Sequence, residues 1–279
     1  MDNFNFQAPT RVIFGKNTEA QAGALCKQYG AHKVLVHFGG NSAKASGLLD
    51  RVCASLIEAG LEFVLLGGVV PNPRLSKVYE GIELCRKEKV DFVFCAVDMK
   101  KDEILKMEEA YARAEIPVVS NNSANRWTND VPMIIPEIND NHAEVIASQK
   151  ARLGTKRGFI AVKPNCSIQA YVASLTPLRK YGIKEVVATT YQAISGAGKT
   201  FKEWPEMIDN IIPFISGEEE KSEKEPLKIW GEVHGGIITN ADAPLITTQC
   251  IRVPVTDGHT CAVFVNFENK PPKEAILEE

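Results

Sequence analysis

The sequence predicts an α/β chain of two units, a helix-covered and largely parallel sheet over residues 1–157 and an α+β domain with a mixed sheet over 158–279. Three observations predict it. Short apolar runs alternate with helical periodicity through the first hundred residues. The second half changes texture to longer runs rich in β-branched residues with few helical stretches. The 279 residues are 44% hydrophobic and 24% charged, the composition of a folded chain with a sizeable core.

In order, strands are expected at 11–14, 33–37, 62–66 and 91–96, with helices at 19–29, 46–59 and 75–88 between them. Gly39-Gly40 follows the second of these strands and Gly67-Gly68 the third. Such pairs let backbone approach a phosphate, although a GG pair after a strand is ordinarily a tight turn and the three-glycine dinucleotide spacing is not here. MKKDEILKMEEAYARA (99–114) reads as an amphipathic helix, apolar at Ile104, Leu105, Met107, Ala110 and Tyr111. A short strand at 117–120, the polar loop NNSANRWTND and the apolar run VPMIIPEIN follow, and Arg126 is the loop's one cation. Loop arginines are ordinarily solvated. Past a junction near 154–158, strands are expected at 158–162, 186–192, 236–240, 247–253 and 260–267. One helix is expected at 168–181, with Ala170, Val172, Leu175 and Leu178 toward a sheet.

Composition narrows the function. A net charge of −3 without a basic tract gives no electrostatic case for nucleic acid. Seven widely spaced cysteines with no CxxC pair argue for a reducing, cytoplasmic setting and against a disulfide framework or a structural zinc site. The polar, acidic start lacks the features of a secretory signal, and no run of apolar residues is long enough to span a bilayer.

The chemistry concentrates in the second half. In GFIAVKPNCSIQAY (158–171), Pro164 and Asn165 end an apolar strand and a helix follows, so Cys166 is expected exposed at the positive end of that helix, where a thiol turns nucleophilic. The other cysteines read as buried small hydrophobes. His259 stands in the turn VPVTDGHT between two β runs, suited to take and return a proton. Arg252 lies seven residues earlier, so a hairpin would bring the two to one cleft, where a guanidinium pairs with a carboxylate. The charge run GEEEKSEKEPLKIW (217–230) reads first as a solvated face, though one of its glutamates fits a substrate ammonium and Lys221 an anion. AISGAGKTF offers small residues against which a flat ring can lie, and it is not a Walker motif despite its GKT.

The motifs SNNSANR, DVPMIIPEIN, KPNCSIQ, TYQAISGAG, GEEEK and RVPVTDGH stand in the order carried by aspartate-semialdehyde dehydrogenases. From about Phe94 to Asn269 the sequence resembles that family, in the branch shared by archaea, fungi and some bacteria. The resemblance implies a Rossmann-like nucleotide-binding domain followed by a catalytic and dimerisation domain, in a cytoplasmic homodimer or homotetramer. It implies NADP-dependent interconversion of aspartate semialdehyde plus phosphate with aspartyl phosphate through a cysteine thioester, on the way to lysine, threonine and methionine. Cys166 would be the nucleophile, His259 the acid and base, and Gln192 would orient the acyl group. Arg252 would hold the substrate carboxylate and Glu218, or Glu219 one residue on, its amino group. Arg126, Asn165 and Lys221 would receive the phosphoryl group. Ser120, Ser123, Ser195, Gly196 and Gly198 would line the nicotinamide.

Residues 1–94 instead resemble the opening of iron-containing, NADPH-dependent butanol and alcohol dehydrogenases, in APTRVIFG, HFGGNSAKASG and LGGVVPNPRLSKVYEGIELCRKEKVDF. That segment replaces the GATGxVG turn of semialdehyde dehydrogenases, leaves Gly39 and Gly40 as the substitute phosphate-approaching pair, and stops before every iron ligand, so no metal is expected. Semialdehyde dehydrogenases continue past the GH motif through a further strand and a long helix, which this sequence, stopping at Glu279, is expected to lack. Two readings compete with the dehydrogenase: a fragment of an iron-containing alcohol dehydrogenase, and an inactive hybrid that serves as a dimerisation module.

Overall fold

The computed structural model describes residues 4–7, 11–14, 18–28, 30–38, 47–68, 75–91, 93–95 and 100–278; Gly39 and Gly40 lie outside them. The chain divides into two compact units, residues 1–132 with 143–163, and residues 133–142 with 164–279.

The first unit is built from parallel β-α steps. A small antiparallel ribbon joins β1 (Phe4–Gln7) and β2 (Arg11–Phe14). After α1 (Ala22–Gln28), β3 (Lys33–His37) and β4 (Glu62–Leu66) pair in parallel across the crossover helix α2 (Leu48–Glu58). Then α3 (Leu75–Glu88) leads to β5 (Val93–Cys95), α4 (Lys101–Arg113), β6 (Val118–Ser120), α6 (Val145–Leu153) and β7 (Ile160–Val162), with α5 lying in the second unit. Strands β5, β6 and β7 form a parallel sheet with β6 central. Sequence texture puts β7 in the second domain, but it pairs with β6 and belongs here. Its residues are half-buried or buried, as a strand in a helix-covered parallel sheet must be, so alternation could not mark its allegiance.

Helix α4 covers this sheet with Ile104, Met107, Tyr111 and Ala112, while Leu105 and Ala110 are only half-buried. The fifth buried residue is charged: the Glu108 carboxylate accepts from the Ser120 hydroxyl and from Asn125 Nδ2 at 2.6 Å. Helix α6 sends in Gln149, which is fully buried. Its Nε2 donates to the carbonyls of Ile160 and Asp130 (2.9 and 2.8 Å), and its Oε1 accepts the Ile160 N–H at 2.6 Å, completing the free edge of β7. Where the texture of the sequence changes, Glu115 gathers the N–H groups of Lys156, Arg157 and Gly158 (2.9, 2.6 and 3.0 Å). Those bonds hold its carboxyl below the ordinary carboxylate range.

The second unit centres on a three-stranded mixed sheet in the order β11-β8-β12, formed by Leu245–Arg252 (β11), Ile183–Gln192 (β8) and His259–Phe267 (β12). α5 (Pro136–Asn139) sits at the start of the unit, where Asn139 donates to the Met133 carbonyl and to buried His142. Helices α7 (Gln169–Leu175) and α8 (Glu218–Ile229) cover one face of the sheet. The expected helix at 168–181 ends at Leu175, because Pro177 has no N–H to continue the ladder, and the chain passes into a 3₁₀ turn, Pro177–Tyr181. An antiparallel hairpin of β9 (Glu232–His234) and β10 (Ile237–Thr239) and a terminal helix α9 (Lys273–Glu278) complete the unit.

The charge run is not a solvated face. On α8, Ser222, Glu225, Pro226, Lys228 and Ile229 are buried, while Glu220 and Lys224 pair in solvent at 2.8 Å. The opposite face of the sheet is open, exposing Val187, Tyr191, Leu245 and Phe264.

Gly158 sits against α4 so closely that a Cβ would lie 1.8 Å from the Ala112 carbonyl oxygen, a backbone atom with no side-chain freedom to yield. Gly158→Ala is expected to lower stability by about 3 kcal/mol, read as a shifted urea midpoint of the first unit. An unchanged midpoint would mean that helix and loop part freely.

Candidate functional site

In the second unit the covered face of the sheet changes character along its length. Val186, Ala188 and Ile246 are apolar core; Thr190, Gln192, Cys250 and Arg252, further along the same face, are polar yet buried. At the end of this gradient Gln192 of β8 stands opposite Arg252 of β11 on one side and His259 of β12 on the other. The three side chains therefore project from one line to one face, the arginine and histidine backbones two strand spacings, about 10 Å, apart. A hairpin between Arg252 and His259, expected from their separation, does not form. Strand β11 runs parallel to β8 and β12 antiparallel, so the 253–258 link crosses over the end of β8 and bonds to it through Val253 N–H to Gln192 O (3.0 Å) and Ser195 N–H to Thr256 O (3.2 Å).

The cysteine reaches this line from the turn ahead of α7. Cys166 is exposed and hydrogen-bonded to His259. That bond is the largest influence on the imidazole and raises its pKa; burial opposes it, and the Gly258 carbonyl adds to it. His259 Nδ1 lies 2.8 Å from the Gly258 carbonyl oxygen and 3.2 Å from the Ala193 nitrogen; the tautomer with its proton on Nδ1 bonds that carbonyl and leaves Nε2 to exchange a proton with the thiol. Gly196 lies over the pair: a Cβ there would meet His259 Cε1 at 2.8 Å and an Arg252 guanidinium nitrogen at 2.9 Å. Arg252 is 5% exposed and donates to the Ala193 carbonyl at 2.7 Å. Burial lowers its pKa, against which Glu218 and Cys166 act.

Glu218 opens α8 and faces the same end. Burial would raise its carboxyl, but Lys221 (2.5 Å), Asn165 Nδ2 (2.9 Å) and Gln192 outweigh that and hold it below the ordinary range. Glu219 accepts the Cys250 N–H of β11 at 3.3 Å. Asn165 does not offer its amide to solvent: Oδ1 takes the N–H and hydroxyl of Ser167 (2.8 and 2.6 Å) and Nδ2 is given to Glu218. Among the described residues burial pushes the thiols of Cys26, Cys53, Cys85, Cys250 and Cys261 up, Cys85 and Cys261 to about 11, and Cys166 is the exposed thiol, with a basic neighbour.

Of the described site residues named from the sequence, three lie in the first unit. Arg126 is not solvated; it is 5% exposed and donates to the carbonyls of Lys163 (2.9 Å) and Asn121 (3.3 Å). Ser120 is fully buried, its hydroxyl turned inward to Glu108, and so is unavailable to a nicotinamide ring. Ser123 is half-buried and its carbonyl accepts the Arg126 N–H at 3.3 Å. Sequence reasoning missed Glu108, Ser222 and Glu225. The last two were detectable: Glu218, Ser222 and Glu225 recur at helical spacing on one face of α8. Among the described residues no group of His, Cys, Asp or Glu is arranged to hold a metal ion, and no helix is long and apolar enough to cross a membrane.

Comparison with known proteins bears on the same residues. Residues 70–146 match the family described as semialdehyde dehydrogenase, NAD binding domain, and 175–279 match semialdehyde dehydrogenase, dimerisation domain. Residues 9–96 match iron-containing alcohol dehydrogenase. The aspartate-semialdehyde dehydrogenase of Archaeoglobus fulgidus is 41% identical over 208 residues, covering 74% of this chain and 58% of that protein. That of Methanothermobacter thermautotrophicus is 42% identical over 182 residues, covering 65% and 51%. Among solved structures, aspartate semialdehyde dehydrogenase with NADP from Candida albicans matches with a TM-score of 0.59 and 34% identity, over 68% of this chain and 55% of that one. Aspartate semialdehyde dehydrogenase II from Vibrio cholerae, at 23% identity and a TM-score of 0.60 over 89% and 78%, shares the fold. The chain spans about half the length of the curated relatives it matches.

Because the thiol raises the His259 pKa, protonated His259 stabilises the folded chain fully below its unfolded value of about 6.5, and that stabilisation is lost as pH rises through the higher folded value. In Cys166→Ala the NMR titration midpoint of His259 is expected to fall toward the ordinary value. A midpoint unmoved by the substitution would show that the thiol and the imidazole do not interact.

Proposed function

We propose that the chain is an aspartate-semialdehyde dehydrogenase-type oxidoreductase, converting aspartate semialdehyde and phosphate to aspartyl phosphate with NADP, and the reverse. The observation that carries the reading is an exposed thiol hydrogen-bonded to a histidine on the line that also holds a buried arginine and glutamine. Resemblance of both halves of the semialdehyde dehydrogenase architecture supports it.

The residues of the second unit fit each step. The Cys166 thiol gives its proton to His259 Nε2 and adds to the aldehyde carbon, forming a carbon–sulfur bond as the carbonyl π pair moves to oxygen, which takes that proton back from His259 as a hydroxyl. Arg252, buried and cationic, pairs with the substrate carboxylate. Glu218, ionised by its partners, faces the substrate ammonium, and Lys221 beside it compensates its charge when that ammonium is not there. When bound, NADP supplies the acceptor for the hydride that turns the thiol adduct into a thioester. His259 then holds the hydroxyl proton, phosphate adds to the thioester carbonyl, and the carbon–sulfur bond breaks to return the thiolate. Gln192, buried between the arginine and histidine strands, orients the acyl oxygen.

The turn Ile194–Ala197, closed by Gly198 in a left-handed conformation (φ 67°), fits the nicotinamide end: Ser195, Gly196 and Gly198 are exposed, and the missing Cβ of Gly196 leaves a flat approach beside His259. Asn165 supports the cysteine turn in place of the phosphoryl contact the resemblance gives it. Arg126 keeps its phosphate assignment by resemblance alone.

Phosphate-dependent NADP reduction with aspartate semialdehyde tests the reading. Cys166→Ala is expected to abolish turnover, and His259→Asn to lower kcat about a hundred- to ten-thousand-fold. Arg252→Leu is expected to raise KM by about 10- to 150-fold, the loss of a charge-assisted bond. Folded wild-type protein that reduces no NADP would overturn it.

The open face of the mixed sheet favours self-association as a second property of the same domain. Phe264 is 75% and Leu245 66% exposed beside Val187 and Tyr191 on neighbouring strands, a patch suited to its own two-fold copy. Sedimentation of the wild-type chain as a dimer and of Phe264→Lys as a monomer is the expected outcome; equal masses would remove this surface from consideration.

A further inference from the structure

Cys166 is exposed, but both of its neighbours in sequence are buried and fixed. Asn165 is 5% exposed and Ser167 fully buried. The Glu225 carboxylate, itself fully buried, accepts the Asn165 backbone N–H at 2.6 Å. Three residues before Glu225 on α8, Ser222 Oγ lies 3.3 Å from Ser167 Oγ, and the Ser222 carbonyl accepts the Tyr171 hydroxyl at 2.8 Å. The Asn165 side chain closes the frame, bonding Ser167 through Oδ1 and Glu218 through Nδ2.

A polar seam along α8 thus grips the residue before the thiol and the residue after it, and leaves the thiol between them as the part that projects. We infer that Glu225 is a positioning residue for Cys166, fixing the 165–167 turn so that the thiol meets His259. A buried carboxylate is a costly partner for a backbone N–H, and an apolar side chain with a different turn would satisfy packing as well. What the carboxylate adds is a short, charge-assisted bond that permits one orientation of the 164–165 peptide.

Charge and position predict opposite signs. The charged groups gathered about this turn include His259 on β12 and Arg252 on β11, which act on the thiol, and Glu218 and Glu225 on α8, which bond Asn165 beside it, with Lys221 paired to Glu218. Removing a negative charge behind the thiol by itself favours the thiolate, so a purely electrostatic Glu225 would be lost with faster alkylation. A positioning Glu225 is lost with slower alkylation, because the thiol no longer meets its base.

The inference rests on the reading of Cys166 proposed above, and its test is chosen not to need turnover. Wild type, Glu225→Gln, Glu225→Leu and Glu223→Leu are treated with iodoacetamide near neutral pH, and labelling is followed on the peptide that carries Cys166. Glu223 is the control, since it accepts the Thr248 N–H of β11 at 3.1 Å from the same helix without touching the turn. Glu225→Leu is expected to slow labelling about tenfold and Glu225→Gln about threefold, with the Glu223→Leu rate unchanged. Where Glu225→Leu does not fold, Glu225→Gln decides: labelling as fast as wild type, or faster, overturns the inference, as does equal slowing by Glu223→Leu. In the dehydrogenase assay Glu225→Gln is expected to lower kcat with little change in KM. Slowed labelling in a chain that reduces no NADP would leave the positioning role standing and remove the proposed reaction; normal labelling in an active chain would do the reverse.

Discussion

The candidate site depends on one strand having neighbours of opposite direction. Because β8 runs parallel to β11 and antiparallel to β12, its last residue, Gln192, is the common partner of the last residue of one strand and the first of the other. Two loops leave the sheet at the same edge, and the polar ends of three strands gather there. Side chains alternate between faces, so a slip of one residue in either pairing would send Arg252 or His259 to the open face, where the turn bearing Cys166 is not. The apolar stretch of the same face, Val186, Ala188 and Ile246, makes such a slip expensive. The core of the domain and the alignment of its reactive groups are therefore the same constraint read at two ends of the sheet.

What the sequence made legible was local. Proline, asparagine and a following polar turn marked Cys166 as exposed, and the DGH turn marked His259 as the start of a strand. Strand order is not local, and this is where the reading failed: the six residues between Arg252 and His259 suit a hairpin as well as a crossing over the end of a third strand, and only the pairing of β8, some sixty residues upstream in the chain, distinguishes them. Burial of charge was equally hidden. Glu108 sits in a helix of strong formers among many other acidic residues, and nothing in its flanks announces that Ser120 and Asn125 will satisfy it. In α8 the signal existed as a polar period, masked by the exposed Glu220 and Lys224 on the other side of the helix. Helix α6 had its signal as well: Val145, Gln149 and Leu153, the buried set, repeat every four residues.

Sequences similar to two different dehydrogenases meet within the first unit, and parallel strands are what allow them to meet. Asp91 stands at the meeting point. Its carboxylate takes the N–H groups of His32 and Lys33 (2.6 and 3.0 Å) at the start of β3, its own N–H approaches the Lys33 carbonyl at 3.4 Å, and its carbonyl accepts from Arg157. One residue therefore binds the β3–β4 pair on one side and the loop gathered by Glu115 on the other. Burial opposes the ionised form of Asp91, and the two backbone donors overcome it, holding the carboxyl below its ordinary range. The join is made largely by side chains bonding to backbone: the Asp91 and Glu115 carboxylates collect N–H groups and the Arg157 guanidinium donates to the Asp91 carbonyl.

Gln149 also decides what the parallel sheet can do in company. The outer edge of β7 has the shape of a strand that another chain might extend, the usual route by which an exposed edge recruits a foreign strand. A side-chain amide already occupies both backbone groups of Ile160, and it comes from a fully buried residue anchored on α6. An incoming strand would first have to expel that amide and leave it buried without partners, a loss that each new ladder bond would need several others to offset. The β7 edge is thereby sealed at Ile160 from within.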